Sequence, residues 1–402
     1  MAQTLRPVKA LTGGPLRGIC ARGATCQAAS VITLRFAAAF CPLRLQGRRP
    51  TLKSNVMIKF PHFRRSIAAA IGLGALLSTF GAYSVDATTL ESIRSRGHIL
   101  CGIGQDQPGF SQVDEERERT GLDVEFCSAL AAAIFGTKDA VKFWPLGSNE
   151  GFKSLQSGDV DVLARATAWT LSRDTELGAH FTGVLFYDGQ GFLVRRGNAV
   201  TSVLELSGAS VCVMPGAGGE QAVAEFFGAK GMRYSAVAQE NWGDLVKAYA
   251  AGSCTVLTGD VTALALARSK FAKPDDHIIL SELITKEPLG PAVRDDDEQW
   301  FGVVRWTLMA LIAAEELGLS SNNVDAKRTS TIPQVRRLLG LEANLGQALG
   351  LPRDWAYQIV KNVGNYGEIF ERTVGAESPL KLERGLNDLW TNGGLMYSIP
   401  FR

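Results

Sequence analysis

One local pattern occurs twice in this chain, and the repetition constrains the fold more than any other feature. Phe152-Lys-Ser-Leu-Gln-Ser-Gly158-Asp-Val-Asp161-Val162-Leu163 reads as a helix, a glycine stop and a buried strand. Asp244-Leu-Val-Lys-Ala-Tyr-Ala-Ala-Gly252-Ser-Cys-Thr255-Val256-Leu257 reads the same way. In each copy a Gly ends the helix, as it often does, and Val-Leu then opens an apolar strand after an Asp or a Thr. The copies stand about one lobe apart, so two related α/β lobes facing each other are expected. At 402 residues the chain is too long for one ordinary domain.

The rest of the pattern agrees with parallel-sheet lobes. Thr88 to Arg96 reads as a short helix, Ile99 to Ile103 as a strand, and Gln105 to Thr120 as a loop. Asp123 to Phe135 has helical apolar spacing, with Val124, Cys127, Leu130, Ala131 and Ile134 on one stripe. Strands are expected at Gly189 to Arg196 and Ala209 to Met214, then a helix from Glu220 and an extended run from Pro288 to Arg294. Glu298 to Leu317 reads as a long amphipathic helix whose stripe is Trp300, Val304, Leu308, Leu311 and Ile312. Its Arg305 and flanking acids disfavour a membrane span. Chain crossings near 189–196 and 284–294 would make a hinge around which the lobes close.

The charge is unevenly distributed. No acidic residue precedes Asp86, whereas twelve Lys and Arg do. Residues 57–87 read as a secretory signal peptide: Lys59, Arg64 and Arg65 form a basic start, and Ser66 to Phe80 an apolar run too short to span a bilayer comfortably. Val85-Asp86-Ala87 offers a cleavage site after Ala87. Residues 1–56, Arg-rich and acid-free, are expected to carry no fold. A misassigned start upstream of Met57 fits best, with a transit peptide as the rival.

Without residues 1–87 the chain has thirty basic and thirty-nine acidic side chains, a charge of about −9 that argues against a nucleic-acid partner. Four cysteines remain, Cys101, Cys127, Cys212 and Cys254, and in an oxidising compartment they suggest two disulfides. No Cys follows the apolar run closely, so a lipid-anchored terminus is not expected and the product should be soluble.

Signs of catalysis are mostly missing. His98, His180 and His277 have no zinc-like spacing, and no Gly-x-Ser-x-Gly elbow, phosphate-loop Lys or complete Gly-x-Gly-x-x-Gly occurs. No cofactor or metal is called for. Gly216-Ala-Gly218-Gly219, between a strand and a helix, could aim backbone N–H groups at a carboxylate; a plain tight turn fits it equally. Arg173, after the Thr170-Leu-Ser172 turn, could hold a carboxylate through its planar fork, although an isolated Arg is usually solvated. Asp260 could accept from an ammonium group or simply cap a helix. Phe110, Phe152 and Trp169 could wall an apolar pocket or belong to the core.

Longer stretches carry a resemblance. Gly121-Leu-Asp-Val-Glu-Phe126, continued by Leu130, Ala131 and Ile134, is similar to the signature of extracellular solute-binding proteins, family 3, which serve polar amino-acid ABC importers. Trp169-Thr-Leu-Ser-Arg-Asp174, Phe186-Tyr-Asp-Gly-Gln-Gly-Phe192, Leu206 to Cys212, Lys286 to Arg294 and Gly364 to Arg372 resemble its general L-amino-acid-binding subgroup. The resemblance implies a hinged two-lobed α/β fold, the type II periplasmic binding protein fold, with a helical C-terminal extension. Lobe 1 would comprise 88–192 and 287–402, and lobe 2 193–286.

It further implies a monomeric periplasmic protein, not an enzyme, that closes on one small amino acid and docks on an inner-membrane ABC permease. Arg173 would bind the α-carboxylate, helped by Gly218 and Gly219, and Asp260 the α-ammonium. Phe110, Phe152, Thr167 and Trp169 would complete the site. Cys101 would pair with Cys127 and Cys212 with Cys254. A lyase on the same fold and a soluble ligand sensor are the competing readings.

The chain departs from the subgroup in the pocket. Ala164, Ala166 and Ala168 stand where Ser, Thr or Asn are favoured, leaving Thr167 the one hydroxyl there. Ala217, Gly218 and Gly219 replace a Thr-containing turn; Gly151 replaces a basic residue and Gly259 a Thr. Each lost hydrogen bond to a ligand is worth roughly 0.5–3 kcal/mol. A wider, less polar pocket accepting a different or bulkier side chain is therefore expected, the rival being a degenerate paralogue.

Overall fold

The structure, a computed structural model, describes residues 87–147, 150–215 and 218–402. The extension 1–56, the signal segment up to Asp86 and the Gly216-Ala217 turn lie outside the described residues.

The chain enters through helix α1 (Thr89–Arg96), where Thr88 and Glu91 form a reciprocal capping box. There follow strand β1 (Ile99–Gly104), a short hairpin β2 and β3 (Gln112–Val113, Arg119–Thr120) within the expected loop, and helix α2 (Leu122–Phe135). Gly121, at the head of α2, has φ 129°, and a Cβ there would stand 2.2 Å from the Phe110 carbonyl carbon, so only glycine lets the chain turn here. Strand β4 (Val141–Leu146), helix α3 (Gly151–Gln156), strand β5 (Val162–Leu163), helix α4 (Leu171–Glu176) and strand β6 (Ala179–Phe181) complete the outward path. Strand β7 (Phe186–Asp188) then leads into the second lobe.

That lobe comprises β8 (Gln190–Arg195), β9 (Ser210–Val213), α5 (Gly218–Ala229), β10 (Ser235–Ala238), α6 (Trp242–Ala250), β11 (Val256–Asp260), α7 (Val261–Ser269) and β12 (His277–Ile279). The chain returns through β13 (Glu287–Leu289) and β14 (Ala292–Arg294) into α8 (Glu298–Glu316). A tail follows with α9 (Val324–Lys327), α10 (Pro333–Leu338), α11 (Trp355–Asn362) and α12 (Tyr366–Thr373).

The two sheets share one design. The first has the order β4-β1-β5-β14-β6 and the second β10-β9-β11-β8-β12. In each, three parallel strands are followed by an antiparallel strand that arrives from the hinge: β14 pairs with β5 and β6, and β8 with β11 and β12. The repeated segments, α3–β5 and α6–β11, occupy equivalent places. In the first copy Asp161 accepts from the Leu100 N–H at 2.7 Å and bonds Arg96, so its role is to tie β5 to α1 and β1.

The hinge is the two-stranded pair β7–β13, with Asp188 opposite Glu287 and Tyr187 opposite Pro288. Strand β8 lies wholly in the second sheet, so the crossing comes slightly before the expected boundary after residue 192. Both expected disulfide pairs are formed, Cys101–Cys127 joining β1 to α2 and Cys212–Cys254 joining β9 to the turn before β11.

One expectation changes. Helix α2 is buried on nearly every side, eleven of its fourteen residues being buried. The cause is the tail: α11 packs on α2 and α8, and Trp355, Tyr366 and Phe370 are buried in the same core as the α8 stripe. The C-terminal extension is thus structural to lobe 1. Among the described residues no helix is long and apolar enough to cross a membrane.

Candidate functional site

In open α/β sheets ligands bind beyond the carboxyl ends of the parallel strands. The ends of β5 and β11 face a cleft of about 950 Å³ that also meets the hinge strands. Five of the expected site residues line it: Phe110, Phe152, Thr167, Arg173 and Asp260.

Arg173 is placed by the start of α4. Thr170 caps that helix by accepting from the Arg173 N–H, and the Arg173 Nη1 donates to the Ala168 carbonyl at 2.8 Å. The fork is half-buried at the cleft wall, and four further N–H groups remain to a guanidinium after one bond. Across the cleft Asp260 ends β11, opposite Gln190 of β8. Its carboxylate opens onto the cleft, but the surrounding walls displace enough water to raise its pKa. Phe110 is buried edge-on against Phe186 at 5.4 Å, which fixes the floor. Phe152 is half-buried beside Phe181. Thr167 is 4% exposed, and its Oγ1 has no hydrogen-bond partner among the described residues.

Trp169 and the α5 start do not line the cleft. The half-buried Trp169 indole stacks on Phe181 at 5.7 Å and 8°, and its backbone N–H donates to the Pro288 carbonyl of the hinge at 2.7 Å. Gly218 and Gly219 begin α5, where the Gly219 carbonyl accepts from Gln190 Nε2 at 2.9 Å. The same Gln190 Nε2 also donates to Thr258 Oγ1 at 2.9 Å, tying the start of α5 to β11.

Four charged residues enter the site unannounced by local sequence: Lys153, Arg165, Asp188 and Glu287. Asp188 is buried, accepting from Thr262 Oγ1 at 2.6 Å and from the Gly189 N–H at 2.9 Å. Burial outweighs both bonds and pushes its carboxyl up to about 6, with Asp260 adding in the same direction. Glu287, facing Asp188 across the hinge ladder, is raised by burial and then by Asp260, while Arg173 acts against the rise. The expectation of a less polar pocket is therefore corrected. Three cations stand on lobe 1, and three carboxylates stand on the hinge and at the end of β11.

The trimmed positions are also filled. A Cβ at Gly151 would lie 3.0 Å from Cδ of Arg165, and one at Gly259 only 2.7 Å from the Trp242 ring. Removing side chains at 151 and 259 has made room for an arginine stem and an indole. Ala166 and Ala168 do leave open wall. No cluster of three or more potential metal ligands occurs among the described residues.

Comparison with known proteins accords with this geometry. The family model for bacterial extracellular solute-binding proteins, family 3, matches residues 99–327. The general L-amino acid-binding periplasmic protein AapJ of Rhizobium johnstonii is 48% identical over 338 residues, 84% of this chain and 98% of its own. The glutamate/glutamine/aspartate/asparagine-binding protein BztA of Rhodobacter capsulatus is 44% identical over 334 residues, 83% of this chain and 98% of its own. An ABC transporter periplasmic binding protein from Brucella ovis, solved with glutathione bound, matches with a TM-score of 0.67 and 47% identity, covering 79% of this chain and 100% of that one. The two sheets, the β7–β13 hinge and the helical tail make up a type II periplasmic binding protein fold. With the family match running from β1 to the end of α9 and near-half identity spread over whole relatives, the chain belongs to the bacterial extracellular solute-binding proteins, family 3.

Proposed function

We propose that this protein is the periplasmic substrate-binding subunit of an amino-acid ABC importer, closing on one amino acid or amino-acid-like ligand and presenting it unchanged to an inner-membrane permease. The observation that carries the reading is the opposition of Arg173 and Asp260 across one cleft. A guanidinium fork suits a carboxylate, and a carboxylate suits an ammonium, so the pair matches a zwitterion. The names of AapJ and BztA support amino acids as the ligand class, and the glutathione in the Brucella ovis structure supports a ligand larger than a single residue. Secretion through residues 57–87 and action as a monomer belong to the same proposal.

Replacing Arg173 with Ala tests it by calorimetric titration against a panel of L-amino acids and glutathione. Binding of any α-carboxylate ligand should weaken by about 2–5 kcal/mol, the cost of truncating one partner of a desolvated charge pair. Unchanged affinity would sink the pose.

A lyase on the same fold has one observation in its favour, the Asp188 carboxyl lining the cleft with its pKa pushed up to about 6. Turnover of a cleft-sized carboxylic acid, lost on Asp188→Asn, would select that reading.

A further inference from the structure

A groove separate from the cleft lies between the second lobe and the tail. It has a volume of about 220 Å³ and is lined by Phe186 and Tyr187 of β7, by α7, by β12 and the residues after it, and by residues 381–387 of the tail. None of these residues lines the cleft, although Tyr187 and Asp188, and likewise Val261 and Thr262, are chain neighbours that face one site each. The groove adjoins a depression of about 460 Å³, and Arg196, Arg268, His277 and Lys381 line both. Its wall is apolar at Phe186, Val261, Ile279, Leu283 and Leu382 and basic at the shared residues.

The cations there lack close anionic partners. Arg268 is half-buried, and its Nη2 donates to the main-chain carbonyls of Leu380 and Lys381 at 2.7 and 3.0 Å. Burial lowers its pKa, and the Asp275 and Glu383 carboxylates, which favour its charge, do not make up the difference. Arg196 donates its Nε to the Asp275 carbonyl at 3.0 Å. Among the described residues Arg196, Arg268 and Lys381 form no ion pair, whereas Arg384, the remaining cation of the groove, is paired with Glu315 at 2.9 Å. His277 adds no charge near neutral pH, since burial and then Arg195 lower its pKa. Lys381 has φ 45°, a left-handed conformation uncommon for a residue with a side chain, and such outliers cluster where ligands are held.

We infer that this groove is a second ligand site, taking a small molecule with an apolar body and one anionic head, a carboxylate or a phosphate. The body lies against Phe186, Ile279 and Leu283, and the head beside Arg196, Arg268 and Lys381. An apolar lining with a few convergent polar groups is the usual form of a small-molecule site, and guanidinium forks suit either oxyanion. The inference is independent of the amino-acid reading, because no cleft residue contributes to the groove.

The test is calorimetric titration of the wild-type protein with phenylacetate and phenyl phosphate, each beside its head group alone (acetate, inorganic phosphate), and with uncharged 2-phenylethanol. At least one aromatic anion should bind about tenfold more tightly than its bare head group and than the alcohol, and the responding probe tells carboxylate from phosphate. Lys381→Gln and Arg196→Gln should each weaken that probe about fivefold, the order of one partly exposed ion pair, and the double variant should bring it to the level of the alcohol. Arg268 stays unaltered because it also ties α7 to the tail. Arg173→Ala, in the cleft, should leave probe affinity unchanged. Thermal melts check that the variants fold; if the groove variants do not, the wild-type ratios and Arg173→Ala decide. Silence toward both aromatic anions at millimolar concentration, parity with the alcohol or the bare head group, a preference that survives the double variant, or loss of the probe on Arg173→Ala overturns the inference. The amino-acid reading is decided separately, by Arg173→Ala against the amino-acid panel.

Discussion

Asp188 shows how a single side chain can link the site to stability. Its folded pKa is about 6 against an ordinary value of 3.8, because burial disfavours the carboxylate more than its two hydrogen bonds favour it. From about pH 4 to pH 6 the folded protein therefore binds more protons at this position than the unfolded chain, and the contribution of Asp188 to stability falls as pH rises through that window. Above it, keeping the group ionised in this buried place costs up to about 3 kcal/mol, the free-energy equivalent of the difference between the two pKa values. Asp188→Asn should therefore gain melting temperature relative to wild type on going from pH 4 to pH 7. A difference that stays constant with pH would show that Asp188 titrates normally. Other residue-scale features were legible in advance. The Arg173 and Asp260 positions follow from local turns, whereas the filling of Gly151 and Gly259 by Arg165 and Trp242 joins residues that no short pattern connects.

At the scale of elements, the echo of helix, glycine and strand was readable because 3.6-residue and two-residue periodicities are local properties. It correctly marked α3–β5 and α6–β11 as equivalents. The register of β7 against β13 was not readable, and it is this register that sets Glu287 opposite Asp188 and so builds the acidic side of the cleft. The second lobe, with its smaller core, relies more on its disulfide. Cys212 and Cys254 close a loop across a separation of 42 residues, for which chain-entropy arguments give about 4 kcal/mol of stabilisation. A Cys212→Ser, Cys254→Ser double variant should unfold at lower urea concentration by that order, with α5 and α6 amides losing hydrogen-exchange protection ahead of α2 and α8. Equal loss in both lobes would mean that they unfold as one cooperative unit.

Across the whole molecule, the tail also acts as a strap. Asn387 donates to the Tyr187 carbonyl and accepts from the Tyr187 N–H, clasping the hinge strand, while Arg268 of α7 donates to the carbonyls of Leu380 and Lys381 at 2.7 and 3.0 Å. Among the described residues the second lobe supplies Asp260 and Thr262 to the cleft, and a hinge closure of the lobes would move α7 relative to the tail. Contacts that such a closure would break oppose it, and each is worth about 1 kcal/mol. Arg268→Ala should therefore tighten ligand binding by about tenfold, since apparent affinity scales with the closure-competent fraction. It should also lower the radius of gyration of the free protein in small-angle scattering. Identical affinities would show that the strap persists unchanged through closure.

What the sequence determined by itself is what short-range physics encodes: two α/β lobes from a repeated pattern, the long helix α8 from its stripe, and the places of Arg173 and Asp260 just beyond a turn and a strand end, where both line the cleft. Tertiary structure alone decided that the tail buries α2 on nearly every side, that Trp169 stacks on Phe181 outside the cleft lining, and that the cleft is densely charged. Those outcomes depend on strand register and on side chains filling space over distant glycines, and neither leaves a trace in the residues on either side.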